Sequence, residues 1–220
     1  MFETLTNRPK RVLEPMERLS EVLFALIMVL TFTCSFSVAE AGREDVRTLV
    51  IGALGCNLAW GIIDAAFYLM GSFSMLGQKI LKLKALNRAA SPSEAHQIIA
   101  DALPPVLGSV LSSADLEQMR EKLNRLTDLP TLPTLRKNDW LGAVGVLLIV
   151  VFSTLPVLIP FALIRDARYA LRVSNGIAIA MLFLTGYAFG RHAGHRPLRM
   201  GAAMVILGGV MVAITISLGG

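Results

Sequence analysis

The sequence predicts an all-α, polytopic membrane protein with five transmembrane helices and a small cytoplasmic helical module between the second and third. Two observations carry this. The chain is 54% hydrophobic and 17% charged over 220 residues, with a mean hydropathy of +0.61, which is too apolar for an ordinary soluble domain. The charges are also segregated. No ionisable side chain except Cys34 lies between Val22 and Ala39, and none lies between Val146 and Ile164; such runs suit a bilayer-crossing helix of roughly 20 apolar residues.

Residues 1–18 read as a cytoplasmic N-terminal segment, followed by a first span from about Leu19 to Ala39. The residues after it, AEAGRED, are charged and do not resemble a small-residue cleavage site, so this run is expected to remain as a helix. The second span runs from Thr48 to Ser72, which makes residues 19–72 a two-helix unit. GQKILKLKAL then continues the same helical period without proline, so the second helix is expected to project beyond the membrane. In the module and linker, 73–139, SPSE at Ser91–Glu94 signals a helix start: Ser91 as N-cap, Pro92 at the first helical position, Glu94 completing a capping box. SSAD at Ser112–Asp115 is a weaker second start, and DLPTLPTL at Asp128–Leu135 an extended linker. Residues 140–220 hold the third span, Trp140–Ile164, the fourth, Val173–Gly190, near the lower length limit, and the fifth, Met200–Leu218.

Orientation follows from lysine and arginine. With the N-terminus inside, that side holds Arg8, Lys10, Arg11 and Arg18, nine more from Lys79 to Lys137, then Arg191, Arg196 and Arg199. The other side holds only Arg43, Arg47, Arg165, Arg168 and Arg172. The positive-inside rule therefore favours a cytoplasmic N-terminus and an outside C-terminus. The net charge of +5 is a topology signal, and no nucleic-acid partner is implied.

The second span carries CNLAWGIIDAAFYLMGS, in which Asn57, Gly61, Asp64, Tyr68 and Gly71 share one helical stripe. An ionised carboxylate at membrane depth costs at least about 2.5–3.5 kcal/mol on insertion scales, so Asp64 needs a compensating partner or a function. Counted from the cytoplasmic ends, Asp64 and Met28 both fall roughly 12–14 Å deep, with Asn57, Cys56, Thr33 and Cys34 at roughly 20–24 Å. Two facing polar tiers are expected. On the first span Glu17 and Glu21 stand one turn apart at the cytoplasmic mouth, followed by Met28, Thr31 and Ser35. Carboxylates, an amide and a thioether are ligand types that ferrous iron or manganese can use. The candidate metal ligands are thus Asp64, Glu21, Glu17, Asn57 and Met28.

Plainer readings stand beside these. Asn57 can be interhelical glue, Glu17 and Glu21 can be acids favoured by a helix N-terminus, and Met28 and Met70 can be packing side chains. Cys34 and Cys56 read as small hydrophobes. In the module, Glu94, Gln97 and Asp101 share a face, as do Glu117 and Glu121 near His96; such faces are usually solvated. The three histidines make no zinc pattern. In the third span, STLPVLIPFALI sets Pro156 and Pro160 one turn apart, freeing carbonyls for a neighbour, water or a passing ion, or simply kinking the helix. The fourth span, and Gly201, Gly208 and Gly209 in the fifth, offer small-residue packing faces.

Together, SEVLFALIMVLTFTCSFSVA, GALGCNLAWGIIDAAFYL, STLPVLIPFALI and ALRVSNGIAIAMLFLTGYAFGR, with the helical insert, resemble a bacterial, divergent branch of the vacuolar iron transporter family. The resemblance implies a homodimer in the bacterial inner membrane, with a path for ferrous iron or manganese near the dimer interface and protons moving in exchange. Better-known members carry an acidic residue in an Asp-Gly pair midway along the first span, where this chain reads LIMVLTF with Met28 in the carboxylate's place. Their module is rich in paired glutamates; here the acids are sparse. The intramembrane acid is accordingly expected at Asp64.

The reading is gradient-driven export of a divalent metal across a lipid bilayer. There is no phosphate-cradling glycine loop and no HExxH pair, so neither an enzyme nor a cofactor is implied. The alternatives are a membrane scaffold, which would seal Asp64 among packed helices, and a carrier of another cation. The charge count makes a topology prediction: a reporter fused after Gly220 should behave as external, and one inserted near Ala90 as cytoplasmic. Both on one side would remove the five-span arrangement.

Overall fold

The structure, a computed structural model, describes residues 15–34, 43–103, 110–125 and 132–217. Among them are seven α-helices: α1 (Pro15–Cys34), α2 (Arg43–Arg88), α3 (Pro92–Ala100), α4 (Ser113–Asn124), α5 (Lys137–Leu163), α6 (Ala167–His192) and α7 (Pro197–Ser217). By length and composition, α2, α5, α6 and α7 can each cross a membrane. α1 covers the first part of the predicted first span; Ser35 to Ala39 lie outside the described residues. The chain forms two compact units, one from the described residues of Leu69–Asp139 and the other from those of Arg11–Tyr68 and Trp140–Gly220.

α2 is unbroken over 46 residues, as the uninterrupted period past Ser72 predicts. At 1.5 Å per residue it is about 69 Å long, more than twice a bilayer's hydrocarbon thickness. It ends at Arg88, three residues before Ser91, which Pro92 restricts to extended backbone with φ −137° and ψ 154°.

The larger unit is built around Leu26, Val29 and Leu30 of α1, Ala53 of α2, Val157 and Leu158 of α5, and Ala178 and Leu182 of α6, with Val205 and Val212 of α7 against them. Its buried hydroxyls follow one rule: each returns its proton to a backbone carbonyl. Ser153, Thr154 and Thr185 donate within their own helices at 2.8–2.9 Å. Ser174 of α6 donates 2.6 Å across to the Val157 carbonyl, in the turn of α5 between Pro156 and Pro160. α6 and α7 pack most extensively. A Cβ at Gly186 would stand 2.7 Å from the Met200 carbonyl oxygen, so only glycine allows that approach.

α6 begins six residues before the predicted fourth span, at Ala167, with Asp166 as N-cap accepting from the Tyr169 N–H at 2.7 Å. The apolar count excluded Arg168 and Arg172, yet long arginine side chains can keep an apolar stem on the helix while the charge reaches water.

In the smaller unit α3 and α4 bury Leu86, Ala95 and Ile99, flanked by Leu116, Met119 and Leu123. Both predicted caps form. Ser91 accepts from the Glu94 N–H, but the Glu94 carboxylate reaches Ala90 N–H at 2.9 Å instead of the cap residue, so the expected box is offset by one. Ser112 and Asp115, the weaker signal, make the complete reciprocal box. Glu117 departs from the solvated face expected of it. Its carboxylate accepts from both Arg120 Nε (3.0 Å) and, across the helix pair, His96 Nε2 (2.7 Å).

Those two hydrogen bonds, Arg120 first and His96 second, pull the Glu117 carboxyl down from 4.5 to about 2. A group depressed in the folded state contributes its stability above its unfolded pKa and loses it as pH falls through the folded one. Hydrogen exchange of α3 and α4 in the full chain, corrected for intrinsic rates, should therefore lose protection between about pH 4.5 and 2. Glu117→Gln should flatten that dependence; an unchanged profile would assign it to another group.

Candidate functional site

Glu17 and Glu21 lie one turn apart in the first half of α1, on the same helical face. Asp64 and Tyr68 repeat that spacing on α2. With Phe67 of α2 and the buried Val146 of α5, these four line an open pocket of about 330 Å³. The Glu21 and Asp64 carboxyls neighbour one another within it. Asp64 Oδ2 is buried and has no hydrogen-bond partner. Two carboxyls in contact repel unless a proton or a cation lies between them. The pair therefore requires a shared proton or a nearby cation.

Three of the five expected ligands, Asp64, Glu21 and Glu17, come together here. Met28 and Asn57 are not among the lining residues. Asp64 meets Glu21 rather than Met28, two turns further along α1. The depth estimate started from Ser72, but α2 has no break there, so nothing in the local pattern marks where the membrane ends. The second tier also resolves differently: Thr33 Oγ1 lies 3.3 Å from Asn175 Oδ1 of α6, and Cys56 is a half-buried free thiol. Cys34's side chain and Ser35 fall outside what is described.

Asn57 is 2% exposed. Its Nδ2 donates to the Ala53 carbonyl at 3.0 Å, leaving Oδ1 buried without a partner. The two orphaned oxygens among the described residues of this unit thus stand on one stripe of α2, seven residues apart and roughly 10 Å along its axis. Phe67 and Val146 escaped the sequence reading because apolar walls carry no signal beyond the pattern of the span. Among the described residues no three His, Cys, Asp or Glu side chains form a closed metal centre. The arrangement is an open acidic pocket.

A model of the VIT family, the vacuolar iron transporters, matches residues 82–220, more than half of the chain. The chain belongs to the VIT family. No curated protein matches it. VIT proteins are metal-ion transporters of the membrane rather than enzymes, in keeping with the long apolar helices. The matched region takes in the end of α2, the α3–α4 pair and α5 to α7. Of the residues lining the acidic pocket of this VIT protein, only Val146 lies within the match.

The pairing makes a prediction about stability. Glu21→Gln removes one of two facing acids and supplies an amide donor to the other, so the metal-free protein should melt about 2–4 °C higher. Scanning calorimetry in detergent checks this. A lower melting temperature would mean that the acid pair itself holds the helices together.

Proposed function

We propose that this VIT protein carries ferrous iron or manganese out of the cytoplasm in exchange for protons. In this reading Asp64 and Glu21 form the central site and Glu17 draws cations to its mouth. The observation that carries it is the Asp64 carboxylate: it faces a second acid, one of its oxygens is buried without a partner, and it borders an open pocket. A scaffold has no use for that combination, because a sealed and hydrogen-bonded acid would hold the helices better. Carboxylate oxygens match the preference of manganese and ferrous iron for oxygen-rich, open coordination. Asn57 Oδ1 and the Met28 thioether are proposed as successive, weaker contacts deeper in the span.

The cycle follows from charge. A divalent cation neutralises the facing acids; protons arriving from the far side compete for the same oxygens and release it. The chain is proposed to cross the bacterial inner membrane five times, N-terminus cytoplasmic and C-terminus outside, with 73–139 as the cytoplasmic module. It is proposed to act as a homodimer, since five helices make a thin wall around a polar path.

In proteoliposomes, manganese or iron flux should require a pH gradient and fall at least about tenfold in Asp64→Asn, a near-isosteric change. Folded, dimeric Asp64→Asn protein transporting at the wild-type rate would remove Asp64 from the mechanism. Absence of divalent-metal flux in the wild type, with liposomes shown to be intact, would remove metal transport itself.

A further inference from the structure

The turn joining α6 to α7 carries a second open pocket, which shares no lining residue with the acidic one. Its sequence, RHAGHRPLR from Arg191 to Arg199, contains three arginines and two histidines, and no aspartate or glutamate follows Asp166 anywhere in the chain. The ion pairs on α4 and its contact with His96 do not involve this turn. Arg191, Arg196 and Arg199 therefore have no carboxylate partner among the described residues.

The turn is a built structure. Ala193 N–H donates to the Phe189 carbonyl and His195 N–H reaches back to the Gly190 carbonyl, both at 2.9 Å. The second is the six-to-one bond of a Schellman ending, and Gly194 supplies the left-handed backbone it requires, with φ +68°. α7 restarts at once at Pro197. A Cβ at Gly190 would lie 2.9 Å from Pro197 Cα, so the two helix ends are held close. The result is an open surface pocket of about 390 Å³ lined by Gly194, His195, Arg196, Arg199 and Met200. Arg196 and Arg199, three residues apart, stand together at the start of α7, where the helix dipole adds positive potential.

Two features identify the anion. The cluster sits at the ends of two helices that can each cross a bilayer, so on the proposed spans it lies at the level of lipid headgroups. It also has apolar surface: Met200 lines the pocket, and Leu198, between the arginines, is 67% exposed. A phosphodiester attached to hydrocarbon matches both parts, and guanidinium groups bind phosphate oxygens in a bidentate manner.

We propose that the α6–α7 turn binds the headgroup phosphate of an anionic phospholipid, held by Arg196 and Arg199 with the lipid's apolar part against Leu198 and Met200. The full chain in mild detergent, titrated with phosphatidylglycerol and separately with phosphatidylcholine, tests this by native mass spectrometry of the lipid adducts. Wild type should bind phosphatidylglycerol about tenfold tighter than phosphatidylcholine. Arg196→Gln/Arg199→Gln should lose that preference, whereas Lys79→Gln/Lys82→Gln, which removes the same charge from α2, should keep it. Preference retained in the arginine variant, or lost equally in the lysine variant, would overturn the site. If the arginine pair fails to fold, Arg199→Gln alone decides: binding about threefold weaker or more supports the site, unchanged binding overturns it. Inorganic phosphate in the millimolar range should leave the melting temperature unchanged. A rise matching that given by phosphatidylglycerol would make this a free-phosphate site and overturn the lipid assignment.

Discussion

Two acids on neighbouring helices cannot both keep a full charge, side by side and partly out of water, without something positive between them. Glu21 and Asp64 impose that constraint on the membrane unit. It can be met by a proton or by a metal ion, which are the two species a proton-coupled metal carrier exchanges. The pocket stays open at this point, with apolar walls from Phe67 and Val146, so the compensating charge can change identity. A permanent partner, such as an arginine, would satisfy the acids equally well and leave no place for the exchange proposed above.

The surrounding helices sharpen the contrast. Six polar side chains among the described residues of the unit are buried, and the hydroxyl groups among them all find acceptors. Burying a polar atom without a partner costs about 1–3 kcal/mol by mutational measures, so a fold that satisfies its hydroxyls has no general tolerance for orphans. The exceptions are Asn57 Oδ1 and Asp64 Oδ2, both acceptors and both on one stripe of α2. Acceptors left over along one line are what a cation needs when it trades its water shell for protein oxygens.

Much of this was legible in the sequence, for identifiable reasons. The unbroken course of α2 follows from a helical period free of proline from Arg43 to Arg88, and the starts of α3 and α4 follow from serines whose capping bonds are local. Asp64 stood out because an acid in an apolar run is costly wherever the helix lies. What could not be read was the alignment between helices. Asp64 was matched to Met28 because both were counted from assumed membrane boundaries, and on α2 the apolar pattern runs past Ser72 with no mark of where the bilayer ends. His96 and Glu117 illustrate the same limit. They are 21 residues apart, on separate helices, and only the packing of α3 on α4 brings them to 2.7 Å.

The basic turn shows a different gap between sequence and structure. As a count of charges, Arg191, Arg196 and Arg199 only help to orient the chain, and any order of the same residues would serve that rule. Their arrangement adds information that the count lacks. Gly194 must adopt a positive φ to close the ending of α6, and Pro197 must begin α7 immediately, before Arg196 and Arg199 share one side of a pocket with Met200. A pure topology signal could remain a loose loop, which would leave each arginine free to find its own lipid. Holding two of them in one backbone geometry lowers the entropy lost when a single phosphate engages both, which is what would turn a diffuse electrostatic preference into the site proposed above.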